Sequence, residues 1–385
     1  MVQYRNHKTV RGKKKALILA IFVLFWNIKI CRKNSICSDN FSASQTTYMK
    51  GLFAIYVILH HLCTYLADEC PSFLAFKYLG FLMVGGFFLL SGYGLTYGVL
   101  NKENYMKGFL KKRLLSILVP YYLICLLNIF TNRLSGGLSL KYILLLISCL
   151  NMWYVAAIVF LYIMFFVCFK CFSQKNALRL MTAANLGYII GMFAIHKIFT
   201  KYGIYTKYGL PVFGFWWYNS AICFSLGMWY CRYKDKIDSL LNKRYVLSLL
   251  LSFIVLAVSY IMAVPHFNDS LTYVLIAEIF ACIGFCTLLI ALSYRVKIGN
   301  KLLGLCGKLS LELYLCHACF IYLFRCGITF FGVRIYIDSN LLYFAAIMIS
   351  SILFSYVVNI ISSKILLIPK SIKSKKDTSV SLIAK

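Results

Sequence analysis

Acidic side chains are scarce in this 385-residue chain: 11 Asp and Glu stand against 41 Lys and Arg, a formal charge of +30. Histidine (6), proline (5) and tryptophan (5) are also rare. No inter-segment stretch is long enough to make a separate soluble domain, and no fixed-period repeat is visible. These absences exclude a nucleic-acid-binding module. The basic residues sit in short loops between apolar runs, where membrane topology and lipid or nucleotide phosphates account for them. Cysteine is the exception, with 16 copies, yet they are scattered and form no secreted disulfide framework. Cys168/Cys171 and Cys316/Cys319 have the two-residue gap of metal sites, but both pairs lie in hydrophobic runs with only His317 nearby. Buried cysteines of this kind act as small hydrophobes, and no metal is expected.

What the chain has in abundance is apolar surface: 61% hydrophobic and 17% aromatic residues, with a mean hydropathy of +0.78. Soluble domains are about half apolar, so this is the composition of an all-α polytopic membrane protein. About ten transmembrane helices are expected, at 48–66, 78–100, 114–131, 152–170, 180–198, 213–231, 246–264, 272–292, 309–328 and 341–362. The run 140–150 is too short to cross and reads as re-entrant or interfacial. Lys and Arg concentrate in the loops on one side, which puts the start of the first span and the C-terminus in the cytoplasm of a cell (plasma or inner) membrane. Three regions follow: a basic N-terminal segment (1–47), a membrane domain (48–362) and a basic cytoplasmic tail (363–385) that reads as disordered. Within the first, residues 16–28 form a short apolar run flanked by cations, expected to lie as a helix at the cytoplasmic interface.

Ionisable groups inside spans are expensive and therefore informative. His60 and His61 lie some 12 residues into the first span. A neutral imidazole at that depth suits a general base, although a lone buried histidine is more often structural. Ser91, before Gly92, is either a nucleophile or a hydroxyl bonded to a neighbouring helix. Gly85, Gly86, Gly92, Gly94 and Gly98 allow close helix approach, with Gly94/Gly98 in small-xxx-small spacing. Lys111, Lys112 and Arg113 gather at the start of the third span, either as ordinary anchors or as a phosphate site. Glu278 and Glu312 are the acids placed within spans. Glu278 falls in the same membrane half as His61 and could orient the imidazole or bond another helix. Glu312 is five residues before His317, a poor same-face match, so the two need not touch.

These residues carry a resemblance. Lys50 and His61, Phe87-Phe88-Leu-Leu-Ser91-Gly92-Tyr93 and Arg113…Pro120 resemble the integral-membrane acyltransferase family 3. Later segments agree: Asn151-Met-Trp153-Tyr154, then Trp217-Tyr218-Asn219 with Cys223-Phe224-Ser-Leu-Gly227-Met, then Ser310-Leu-Glu312-Leu-Tyr314-Leu-Cys-His317. The match covers about 48–360, and its eleven-residue offset from Lys50 selects His61, not His60, as the family histidine. The chain departs in having Lys50 where many members have Arg, and Ser116 where a second cation often follows; lysine offers a point charge instead of a bidentate fork.

The resemblance implies transfer of an acyl group, usually acetyl from acetyl-CoA acting as co-substrate, onto a hydroxyl of a surface glycan or lipid-linked precursor. Lys50, Lys111, Lys112 and Arg113 are then candidates for the donor's phosphates, and Trp153, Tyr154 and Ser91 for the substrate. Candidate catalytic groups are His61, Glu278 and His317, with His61 acting as base or briefly carrying the acyl group. Expected partners are acyl-CoA, the glycan acceptor and membrane lipids, with no nucleic acid. A proton-coupled transporter or flippase is the rival class, but no inverted repeat is visible.

Overall fold

The computed structural model describes residues 26–31, 40–66, 76–134, 138–205, 213–264, 272–325, 329–330 and 333–383. Most of the basic N-terminal segment, His7 and His266 lie outside them. Twelve α-helices are described: α1 Ala43–Leu62, α2 Gly80–Asn101, α3 Phe109–Leu134, α4 Leu140–Ile147, α5 Trp153–Cys171, α6 Gln174–Lys201, α7 Ile222–Arg232, α8 Lys234–Ala263, α9 Thr272–Ser293, α10 Lys301–Lys308, α11 Ser310–Arg325 and α12 Asn340–Ile383. Two small antiparallel ladders accompany them, β1 (Lys29–Ile30) with β2 (Val296–Lys297) and β3 (Thr329–Phe330) with β4 (Val333–Arg334).

The helices sort by what surrounds them. In α2 the apolar window is 78% buried, because that helix is hydrophobic all round and sits at the centre of the bundle. In α8 the corresponding window is only 11% buried, leaving Leu250, Phe253, Ile254 and Ile261 facing outward. An outward apolar surface of this extent is stable only against lipid. The fold is thus that of a multi-pass, all-α membrane protein.

Among the described residues seven helices (α2, α3, α5, α6, α8, α9 and α12) are long and apolar enough to cross a membrane, or up to eight if the bent pair α10–α11 is one span. The ten-span expectation is therefore met by ten apolar segments but not by ten full-length helices. The first segment forms α1, whose opening turn is polar. The segment 213–231 is split into a 3₁₀ turn, Phe215–Trp217, and the 11-residue α7. Segment 309–328 yields the 16-residue α11, bent by 86° from α10. The backbone freed where the sixth segment breaks is satisfied from α6: the Asn185 amide donates to the Ala221 carbonyl at 2.8 Å and to Ser225 Oγ at 3.0 Å. Irregular backbone at membrane depth needs such partners.

Two other expectations change, while most of the run 16–28 lies outside the described residues; Trp26–Ile28 lead into β1. The region after 362 continues α12 as helix to Ile383. Gly94 has open space around it and Gly98 faces the Tyr105 ring, so their spacing makes no helix contact. Close packing falls instead on Gly92 and Gly227. A Cβ on Gly92 would sit 2.0 Å from the Phe224 carbonyl oxygen, and one on Gly227 would sit 2.0 Å from that of Leu89. The backbones of α2 and α7 touch there. Gly51 and Gly307 do the same for α1 and α10.

Candidate active site

Helix α1 presents Lys50 and His61 on one face. Eleven residues is within about 20° of three full turns, so both side chains point the same way, about 16 Å apart along the axis. His60 lies about 80° to one side by the same geometry. The glycine at Gly80 makes room for it: a Cβ there would stand 2.4 Å from His60 Cδ2.

At the far end of α1 three imidazoles form a row. The ring centroids of His60 and His61 are 4.8 Å apart, and those of His61 and His317 are 5.1 Å apart. His61 is deep among the helices yet accessible, so its ring faces open space instead of packed side chains. His317 is buried, and its Nδ1 lies 3.1 Å from the Leu313 carbonyl oxygen. A carbonyl only accepts, so Nδ1 carries the proton, and in the neutral ring Nε2 is a bare lone pair. That Nε2 is buried and has no hydrogen-bond partner. Among the described residues no cluster of His, Cys, Asp or Glu has metal-holding geometry.

A second feature meets this row from the Lys50 end. A cavity of about 190 Å³ is lined by Lys50, Ser91, Tyr154, Tyr162, Ser310 and Tyr314, with Phe87, Ile117 and Ile158 on its apolar walls. Lys50 is the only charged residue among its described lining. The hydroxyls of Tyr154 and Tyr162 both meet Ser91, so Ser91 serves here as a bonded hydroxyl. Tyr314 links the cavity to the imidazoles: its ring is 5.0 Å from Tyr154 and 6.0 Å from His317.

The remaining candidates spread more widely. Arg113 donates to the Tyr105 hydroxyl and feels the charge of Lys50. Lys111 and Lys112 are exposed, and Lys111 lines a separate groove of about 350 Å³ with Lys107 and Lys170. Trp153 packs both against the main core and against the smaller cluster that includes Ile189 and Trp217, and it does not line the cavity that Tyr154 lines. Adjacent helical residues cannot share a face, and here the two rings cross at 86°. Glu278 is buried and accepts from Asn219 Nδ2 at 3.2 Å; it makes no described contact with any imidazole. Equal membrane depth is not lateral proximity. Glu312 accepts from Asn359 Nδ2 at 2.9 Å and likewise stands apart from His317.

Sequence reading passed over Arg325, which is buried at the end of α11. Its guanidinium donates to the carbonyls of Tyr65, Ile337 (3.1 Å) and Asp338 (2.9 Å) and to Asn340 Oδ1 (2.7 Å). It thereby ties the C-terminal end of α1, beside the histidines, to α11 and the start of α12. A lone arginine closing an apolar helix, with five donors to place, was the available signal.

Comparison with curated proteins and with solved structures finds no match. Comparison with family models finds one, an acyltransferase domain, over residues 46–360. That span takes in Lys50, the three imidazoles and every residue lining the hydroxyl-rich cavity. The chain belongs to the membrane acyltransferase family 3.

Proposed function

We propose that the protein moves an acyl group, most simply acetyl, from acyl-CoA to a hydroxyl of a cell-surface polysaccharide or lipid-linked glycan precursor. The observation that carries this reading is the accessible His61 ring beside His317, which Tyr314 connects to a hydroxyl-lined cavity holding Lys50. At about 190 Å³ the cavity is smaller than the usual 300–1,000 Å³ ligand pocket, so it suits a slender thioester arm and not a nucleotide. Lys50, with Arg113 behind it, supplies positive charge for the donor's phosphates at the mouth. Ser91, Tyr154 and Tyr162 offer hydroxyls to the amide and carbonyl groups of the arm.

Chemically, the acceptor oxygen attacks the thioester carbon, a C–O bond forms and the C–S bond breaks. His61 takes the hydroxyl proton and returns it to the leaving sulfur. With reactants bound, the His61 N–H turns to the unpartnered Nε2 of His317, in the ring 5.1 Å away by centroid, so the other nitrogen of His61 faces the acceptor as a lone pair. Lys50 stands on the cytoplasmic side of a cell membrane, where acyl-CoA is held, and the acceptor reaches His61 from the opposite side. Purified protein given acetyl-CoA and a hydroxylated glycan fragment should release free thiol and yield an acylated fragment of matching amount by mass spectrometry. Movement of glycan across proteoliposomes without thiol release would instead show a carrier.

A further inference from the structure

His60 is absent from the mechanism above, although the fold goes to some length to hold it. Its ring occupies the space left by the missing Cβ of Gly80. Its ring stands against the backbone at Phe76 and Lys77. Its Nδ1, in contrast, is buried and without a partner. Contact with that backbone therefore falls to Nε2, where carbonyls are the acceptors to be met, and the proton is assigned to Nε2. Nδ1 is left as a lone pair beside His61. His317 reaches the same state by its own carbonyl bond, with the nitrogens exchanged. His61 is thus bracketed by two neutral imidazoles, each locked into the tautomer that bares one buried lone pair, 4.8 and 5.1 Å away by centroid.

We propose that His60 is a positioning residue for His61: together with His317 it forms a pair of neutral imidazole acceptors that steady the protonated His61, in the place where a carboxylate would ordinarily stand. This rests on the reading of His61 as the base. While His61 is neutral, its single N–H is held by one neighbour and its lone pair faces the acceptor. When it takes the hydroxyl proton, the imidazolium charge stands beside two neighbouring lone pairs, and the proton leaves to the thiolate from the same nitrogen that received it. His60 and His317 keep their own protons throughout, so the proton count closes. Neither acid within the spans substitutes, since Glu278 and Glu312 are engaged by Asn219 and Asn359. A carboxylate here would hold the proton more firmly and slow its return to sulfur.

The nitrogen-specific test uses the geometry of amides. Asparagine sets an acceptor oxygen near the Nδ1 position of histidine, whereas glutamine sets it near Nε2. In full-length protein, His60→Asn should keep kcat near that of the wild type. His60→Gln and His60→Phe should lower kcat by about 10- to 100-fold, the usual loss for an outer partner, with KM for acyl-CoA unchanged. Gel-filtration and melting profiles like the wild type's establish that each variant is folded. Wild-type kcat in the Gln and Phe variants would overturn the proposal, as would equal losses in all three, which would reduce His60 to a ring packed on Gly80. A His61→Ala protein that still transfers acyl groups would point to a different failure, that of the base assignment itself.

Discussion

The imidazole of His61 stands 5.1 Å, centroid to centroid, from that of His317, although 256 residues of chain separate them. Helix α11 brings His317 there, with its Nδ1 on the Leu313 carbonyl one turn back and its Nε2 left without a partner. The proposed chemistry rests on this pair.

His317 should respond to substitution in the opposite sense to its neighbour. His317→Gln keeps an acceptor near Nε2 and should retain most activity, whereas His317→Asn should lose about 10- to 100-fold in kcat. Steady-state thiol release at saturating acyl-CoA separates the two outcomes.

Lys50 is the sole described charge on the cavity wall, so it should act on donor binding. Lys50→Ala is expected to raise KM for acyl-CoA about tenfold or more, the loss of one charge-assisted contact, while kcat changes little. Lys50→Arg should restore or improve KM, because arginine forks phosphate. Kinetics against donor concentration measure both.

Glu278 should matter little to turnover. Its carboxylate accepts from Asn219 and touches no imidazole, and Glu278→Gln preserves an acceptor oxygen. The variant should keep kcat within a few-fold of wild type. A loss comparable to that of the histidine variants would place Glu278 back in the reaction.

Arg325 is a stability residue by its contacts. Arg325→Met removes donors from the Tyr65, Ile337 and Asp338 carbonyls and from Asn340. The expected cost is about 1–3 kcal/mol for each acceptor left buried and unmet, visible as a lower melting temperature in detergent. Gly227→Ala should also lower it, by about 1–3 kcal/mol, since its Cβ would collide with the Leu89 carbonyl.

Much of this was legible in the sequence. Ten apolar segments stand out by length, and three histidines within them could be singled out because ionisable groups are costly in lipid. The sequence also supplied Lys50 and Tyr154, which the fold brings to one cavity. Lateral arrangement was not legible. Depth along a helix can be counted, but which helices are neighbours depends on packing, and so Glu278 and His61 shared a depth without sharing a site. Only Tyr154 of the adjacent pair lines the cavity, because consecutive helical residues turn by about 100°. The short, broken segments around α7 and α11 are held by Asn185 and by a bend, features that hydropathy averages away. Tyr314 was visible in its motif but gained its meaning only from standing between the cavity and His317.

The most direct test of the account is acyl transfer by purified His61→Ala protein, with folding checked by gel filtration and melting. Removing a general base should cost about 10²- to 10⁴-fold in kcat, bringing acceptor-dependent thiol release to background with KM for acyl-CoA unchanged. Transfer at the wild-type rate by the folded variant would contradict the account.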